Sequence, residues 1–245
     1  MRRRACGLQQ ALAAVEAGDA GLLLLPDTPD APLAGRQGAL EARARELGVP
    51  VWRGSEGDMR RMSPDSAKPE QAIAMLGERA DVDSAAALAR PGAHWLLHRL
   101  SYPSNVGFAI RTAEVGGATS VAVDASFNHA ERSRASHVSM GADRLLPVNY
   151  VDSAGVMTTA RDNGHRIIAV EAAGQTPPWE VDLTGDVLLV VGAERDGIAA
   201  NLLARCDAVA CIPMPGFVPS YSLQAAVSAI AVERLRQLAR VTPTD

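Results

Sequence analysis

From residue 92 onward, short apolar runs alternate with helical stretches, and this alternation constrains the fold more than any other feature of the chain. The spacing predicts strands over 94–100, 120–124, 145–151, 166–171, 187–191 and 208–212, a helix over 106–115 and a last helix over 223–238. Apolar runs separated by stretches long enough for a crossover helix describe βαβ units and hence a parallel sheet. The C-terminal part therefore reads as α/β.

The first part carries a weaker version of the same pattern, with an amphipathic stretch over 7–17, a run over 21–25, a helix over 37–47 and a run over 49–52. That is a small α/β unit. A polar, proline-bearing tract (59–71), an apolar stretch (72–76) and a weakly patterned segment (80–92) follow, so the expected domains are 1–90 and 91–245. An apolar and aromatic share of 47% excludes disorder, and no run approaches the roughly 20 residues a membrane helix needs. Glu16 and Asp19 break the apolar stretch behind the basic opening, so a secretory signal is not expected and the protein reads as cytoplasmic. Cys6, Cys206 and Cys211 lack paired spacing, and His94 and His98 lack the glutamate of a zinc motif, so neither a disulfide framework nor a metal is expected. With 24 basic and 28 acidic residues, any nucleic-acid surface must be local.

Three segments carry candidate chemistry. In SYPSNVGFAIRTAEV a strand ends in a proline loop and Asn105 and Gly107 open a helix bearing Arg111, a helix start suited to an anion; Asn105 as a plain cap and Arg111 as a surface charge are the alternative. In DVLLVVGAERDGI a buried strand runs into Gly192 and Glu194 at the strand end where open α/β sheets bind ligands, although GxExxG also makes an ordinary turn and no GxGxxG dinucleotide fingerprint is present. In AVACIPMPGFVPSYSLQAAV a strand enters a loop stiffened by Pro213, Pro215 and Pro219, then a helix opening at residues 220–222, where a serine is equally a cap or part of a ligand site.

Taken together and in order, SNVGFAIRTAE, SMGADRLLPV, VGAERDGI and IPMPGFVPSYSLQAAVSAI resemble the SpoU (TrmH-like) branch of the SPOUT RNA methyltransferases over residues 92–240. The resemblance implies a parallel α/β domain closed by a deep trefoil knot, S-adenosylmethionine as cofactor, a homodimer, and methylation of a ribose 2'-hydroxyl in RNA. Matching positions imply that Gly192, Ile212 and Tyr221 line the cofactor and that Asn105, Arg111, Glu194, Ser220 and Ser222 serve substrate binding and catalysis. Arg111 would take an RNA phosphate and the developing oxyanion, oriented by Asn105 and Glu194. Ser222 stands where the family reads asparagine, and a hydroxyl cannot present both a carbonyl and an NH2 group, so a non-catalytic RNA-binding protein is the alternative. A second register, placing Ser222, Leu223 and Gln224 on the family's serine, leucine and asparagine, needs a two-residue insertion.

GLQQALAAVEAGDAGLLLLPD and GVPVWRGS resemble, in order and place, the L30e-like substrate-binding domain that precedes this catalytic domain in several ribosomal RNA methyltransferases. That favours ribosomal RNA over transfer RNA, with Arg53, Arg60, Arg61 and Lys68 as local RNA contacts.

Overall fold

The computed structural model describes residues 3–29, 31–218 and 220–241; Pro219, expected to stiffen the third segment, lies outside them. The chain folds as two units, Met1–Asp81 and Val82–Asp245. The division falls before the expected boundary, because Asp83 caps a helix, Ser84–Leu88, whose Leu88 is buried in the second unit's core.

In the first unit β1 (Arg4–Cys6), β2 (Ala20–Pro26), β3 (Val51–Gly54) and β4 (Ile73–Leu76) form a mixed sheet in the order β1-β4-β2-β3. Only β2 and β3 run parallel. Helices α1 (Leu8–Glu16) and α2 (Ala34–Glu46) bury Leu8, Ala11, Val15, Leu40 and Ala44 with Leu23 and Leu25 of β2. α3 (Glu56–Met62) is fixed by a capping box between Ser55 and Asp58, so Arg60 and Arg61 are helical.

The second unit opens with α4 (Ser84–Leu88), followed by β5 (Ala93–His98), α5 (Pro103–Val115), β6 (Ser120–Asp124) and α6 (His129–Ser139). It continues through β7 (Val148–Tyr150), α7 (Ser153–Asp162), β8 (Arg166–Val170), β9 (Val187–Val191), α8 (Ala200–Leu203), β10 (Ala208–Ala210) and α9 (Leu223–Val241). The six strands pair in parallel throughout, in the order β10-β8-β9-β5-β6-β7. Alternate residues of β5 face opposite sides. Ala93, Trp95 and Leu97 join a core with Val106, Ile110, Val227 and Ile230 of α5 and α9, while Leu96 joins Val156, Met157 and Ala160 of α7.

Four strands are shorter than their apolar runs suggest, β7 keeping only Val148–Tyr150 of the expected 145–151. β5 stops at His98 because Arg99 turns to a left-handed φ of 54°, its amide donating to Asp124 O at 2.7 Å. β8 stops at Val170 and β10 at Ala210, which releases Glu171, Cys211 and Ile212 from the ladder. His94 and His98 are separately engaged: Nε2 of His94 donates to Arg90 O at 3.0 Å, and Nδ1 of His98 lies 2.7 Å from Ser153 Oγ.

Candidate functional site

The strand order reverses between β5 and β9, and a crevice at the carboxyl ends of the strands is expected there. A cleft of about 540 Å³ opens at that place, receiving residues from the ends of β8 and β9, the start of α5 and the segment between β10 and α9. Its described lining includes Asn105, Gly192, Glu194, Ile212, Ser220, Tyr221 and Ser222. Seven of the eight expected site residues thus meet in one cleft; Arg111 is absent from it.

At the start of α5 Pro103 takes the first turn, where a missing N–H costs nothing, and Tyr102 holds the cap position. Asn105 is therefore not the cap. Its Nδ2 donates to Glu194 Oε1 at 2.7 Å, and the Ser101 amide donates to Glu194 Oε2 at 3.2 Å. The anion expected beside this helix start is thus the chain's own carboxylate. Arg111 lies farther along α5, exposed, with Nη1 3.2 Å from Met140 Sδ. Glu194 accepts from both Asn105 and the Ser101 amide, and neither Asn105 nor Glu194 bonds Arg111 of the same chain among the described residues.

Gly192 and Gly197 bring the loop after β9 into close contact. A Cβ on Gly192 would meet Gly197 C at 2.2 Å, and Gly197 adopts a φ of 63°. The amides of Ala193 and Gly197 each donate to the other's carbonyl, at 3.1 and 3.0 Å. Glu171, which the sequence pattern did not single out, locks this loop: Oε2 accepts from the Ile198 amide at 2.9 Å, and Oε1 from the Ala172 amide at 2.9 Å. A lone acidic residue closing an apolar run was its only signal.

On the third side, Ser222 holds the position before α9, its carbonyl accepting from the Ala226 amide at 3.1 Å and its Oγ from the Ala225 amide at 3.4 Å. Tyr221 Oη donates to Pro213 O at 3.3 Å, tying the two ends of the proline loop together. Ser220 and Ser222 line the cleft, whereas Gln224 is exposed and absent from its lining, which favours the register without an insertion.

The three arginines of the first unit's basic cluster are paired. Arg53 bonds Glu41, Arg60 bonds Glu56 with Nη2 at 2.5 Å from Oε1, and Arg61 bonds Asp58. These carboxylates compete with RNA phosphates for the same guanidinium groups.

No helix among the described residues is long and apolar enough to cross a membrane. The chain is 32% identical over 136 residues to a 23S rRNA (guanosine-2'-O-)-methyltransferase RlmB of Xylella fastidiosa, covering 55% of each chain. It spans about half the length of the curated relatives it matches most strongly. In fold it is similar to an AdoMet-bound rRNA methyltransferase of Sinorhizobium meliloti, with a TM-score of 0.61 at 22% identity over 96% of this chain and 87% of that one. It is likewise similar to the SpoU methyltransferase AviRb of Streptomyces viridochromogenes, with a TM-score of 0.60 at 22% identity over 98% and 91%. The SpoU rRNA Methylase family profile matches residues 93–232, which span the cleft's three segments and more than half of the sequence, and the chain belongs to that family.

Proposed function

We propose that this protein transfers a methyl group from S-adenosylmethionine to a ribose 2'-hydroxyl of structured RNA, ribosomal RNA ahead of transfer RNA. One observation carries the reading: three segments far apart in the sequence place Asn105, Gly192, Glu194, Ile212, Ser220, Tyr221 and Ser222 around a single cleft. The names of the curated relatives, several of which are 23S rRNA guanosine-2'-O-methyltransferases, support the choice of substrate.

The residues present fit the cofactor. The cleft falls in the range of small-molecule sites, and Val170, Val191, Ile212, Leu223 and Ala226 give it apolar walls. Gly192 exposes backbone where any side chain would collide with Gly197, and Tyr221 and Ile212 stand beside it. When bound, S-adenosylmethionine supplies a methyl group already activated on its sulfonium.

The protein's own share is alignment and proton handling. Glu194 spends two of its carboxylate's roughly four acceptor sites on Asn105 and Ser101, keeping capacity to accept a hydrogen bond from the ribose hydroxyl. Ser220 and Ser222 offer hydroxyls that donate or accept toward the same ribose. Arg111 serves as a positive charge for phosphate and oxyanion. It lies outside its own chain's cleft, so this role goes with a homodimer in which it serves the second copy. Exposed Val115 on α5 and Val232 and Leu235 on α9 supply apolar surface for that association. We further assign a deep trefoil knot to the C-terminal segment of the second unit, and an L30e-like substrate-binding role to the first unit.

The test is incubation of the full chain with radiolabelled S-adenosylmethionine and RNA from cells lacking the protein, followed by digestion to nucleosides. A labelled 2'-O-methylnucleoside is expected. Cofactor binding without label in any nucleoside would refute the enzyme reading and favour the non-catalytic RNA-binding alternative, which rests on Ser222.

A further inference from the structure

Of the described side chains lining the cleft, Arg195 alone carries a positive charge. The two carboxylates beside it are engaged, Glu194 by Asn105 and Ser101, Glu171 by Ile198 and Ala172. Arg195 is exposed and makes no side-chain hydrogen bond or ion pair with the described residues, unlike Arg43, Arg53, Arg60, Arg61, Arg161 and Arg166, each of which has a carboxylate partner. Neither of its neighbours in sequence, Glu194, engaged by Asn105 and Ser101, nor the exposed Asp196, forms an ion pair with it among the described residues.

A second unusual side chain belongs to the third segment, between residues that line the cleft. Phe217 is fully exposed, midway between Met214 and Ser220, both of which line the cleft. Tyr221, four residues beyond it, donates to Pro213, four residues before it. Tyr102, between Ser101 and Asn105, adds a second ring that is 48% exposed.

An unpaired guanidinium and exposed aromatic rings around one cleft are the two chemistries that single-stranded nucleic acid rewards: neutralisation of a phosphate and stacking of a base. We infer that the cleft mouth grips the substrate nucleotide from two sides, Arg195 holding a phosphate next to the target ribose and Phe217 stacking on an unpaired base. This rests on the methyltransferase reading. It adds residues outside the motif positions and gives the substrate as RNA splayed into single-stranded form at the target.

The two contacts leave different signatures. A phosphate contact contributes about 0.7 to the slope of log affinity against log salt for a single strand. A stacked base changes affinity with no such slope. Binding of the full chain to a mixed-sequence single-stranded RNA oligonucleotide would be followed by fluorescence anisotropy across a salt series. Arg195→Ala is expected to flatten the slope by about 0.7, and Arg195→Lys to retain it. Phe217→Ala is expected to weaken binding about tenfold at unchanged slope, with Phe217→Trp restoring it. Calorimetric titration with S-adenosylhomocysteine should give wild-type affinity for all four variants.

An unchanged slope in Arg195→Ala, or unchanged affinity in Phe217→Ala, overturns the corresponding half. Loss of RNA binding in Phe217→Ala together with a changed sedimentation mass would assign the ring to a contact between copies of the chain and overturn the stacking role. Wild-type RNA binding that shows both signatures without methyl transfer would sink the enzyme reading and leave this inference standing. Methyl transfer with variants that bind and titrate like wild type would do the reverse.

Discussion

The Asn105–Glu194 contact can be inverted without changing the size of the site, and its response is calculable. Asn105→Asp places a second carboxylate where an amide donor lay 2.7 Å from Glu194 Oε1. At that separation the repulsion of two unit charges is about 1.5 kcal/mol at the permittivity of water and about 6 kcal/mol at an effective value of 20. Both side chains are partly exposed, and one of the two acids can take up a proton, so the expected loss of stability is near the low end, about 2 kcal/mol. Glu194→Gln keeps one acceptor for the Ser101 amide and can meet Asn105 through its carbonyl, so it should cost about 1 kcal/mol. Combining both substitutions restores a charge-assisted amide–carboxylate bond with its direction reversed, while the new amide's oxygen still accepts from Ser101. The pair should then be at least about 1.5 kcal/mol more stable than the sum of the single changes. Urea denaturation of the four proteins gives the coupling directly. Strict additivity would show that the contact does not hold the two segments together. Methyl transfer should stay low in the double variant even as stability returns, because the carboxylate has moved from the β9 loop to α5.

Gly192→Ala is expected to abolish cofactor binding, since the new methyl would sit 2.2 Å from Gly197 C and backbone cannot swing aside; calorimetry with S-adenosylhomocysteine measures this, and near-normal affinity would contradict the role assigned to that backbone. Burial pushes the His94 imidazole down to about 4, with His165 at a ring distance of 4.7 Å adding to the effect. The unfolded chain therefore binds the extra proton first, so stability falls as pH drops below about 6.5 and the loss is complete below about 4; from pH 6.5 to 5 it should amount to about 2 kcal/mol, and His94→Gln should flatten that part of the urea-midpoint profile. Arg234, buried in α9, donates to Leu183 O and Gly185 O, and its truncation to alanine strands both carbonyls, for an expected cost of about 2–4 kcal/mol by urea denaturation.

The sheet was legible in the sequence because strands buried on both faces are predominantly apolar, as β9 is throughout and β5 is apart from His94 and His98. Their ends were not. Leu100, Glu171 and Ile212 extend apolar runs but leave the ladder, and what ends it is local: the left-handed turn at Arg99, and the recruitment of Glu171 to the Ile198 amide. β1 and α3 were missed for a different reason. Arg4–Cys6 is too short to show a period, and α3 is set by its capping box within a polar stretch. The site was readable as a set of motif positions, but which groups bond was not: whether Glu194 faces Arg111 or Asn105 depends on how β9 and α5 meet across the sheet, and no spacing within either segment encodes that.

The cleft walls come from Asn105 and from segments at 170–172, 191–197, 212–214 and 220–226, so no single segment of the second unit contains the site. A ligand that occupies the cleft therefore binds only chains in which α9 has docked against α5 and the loop after β9 has closed. Occupancy raises the free energy of undocking by RT ln(1 + [L]/Kd), about 2.7 kcal/mol at a hundredfold excess over Kd. α9 is thus fastened by the small molecule whose site it completes, and saturation becomes a reporter of finished folding as much as of readiness to react.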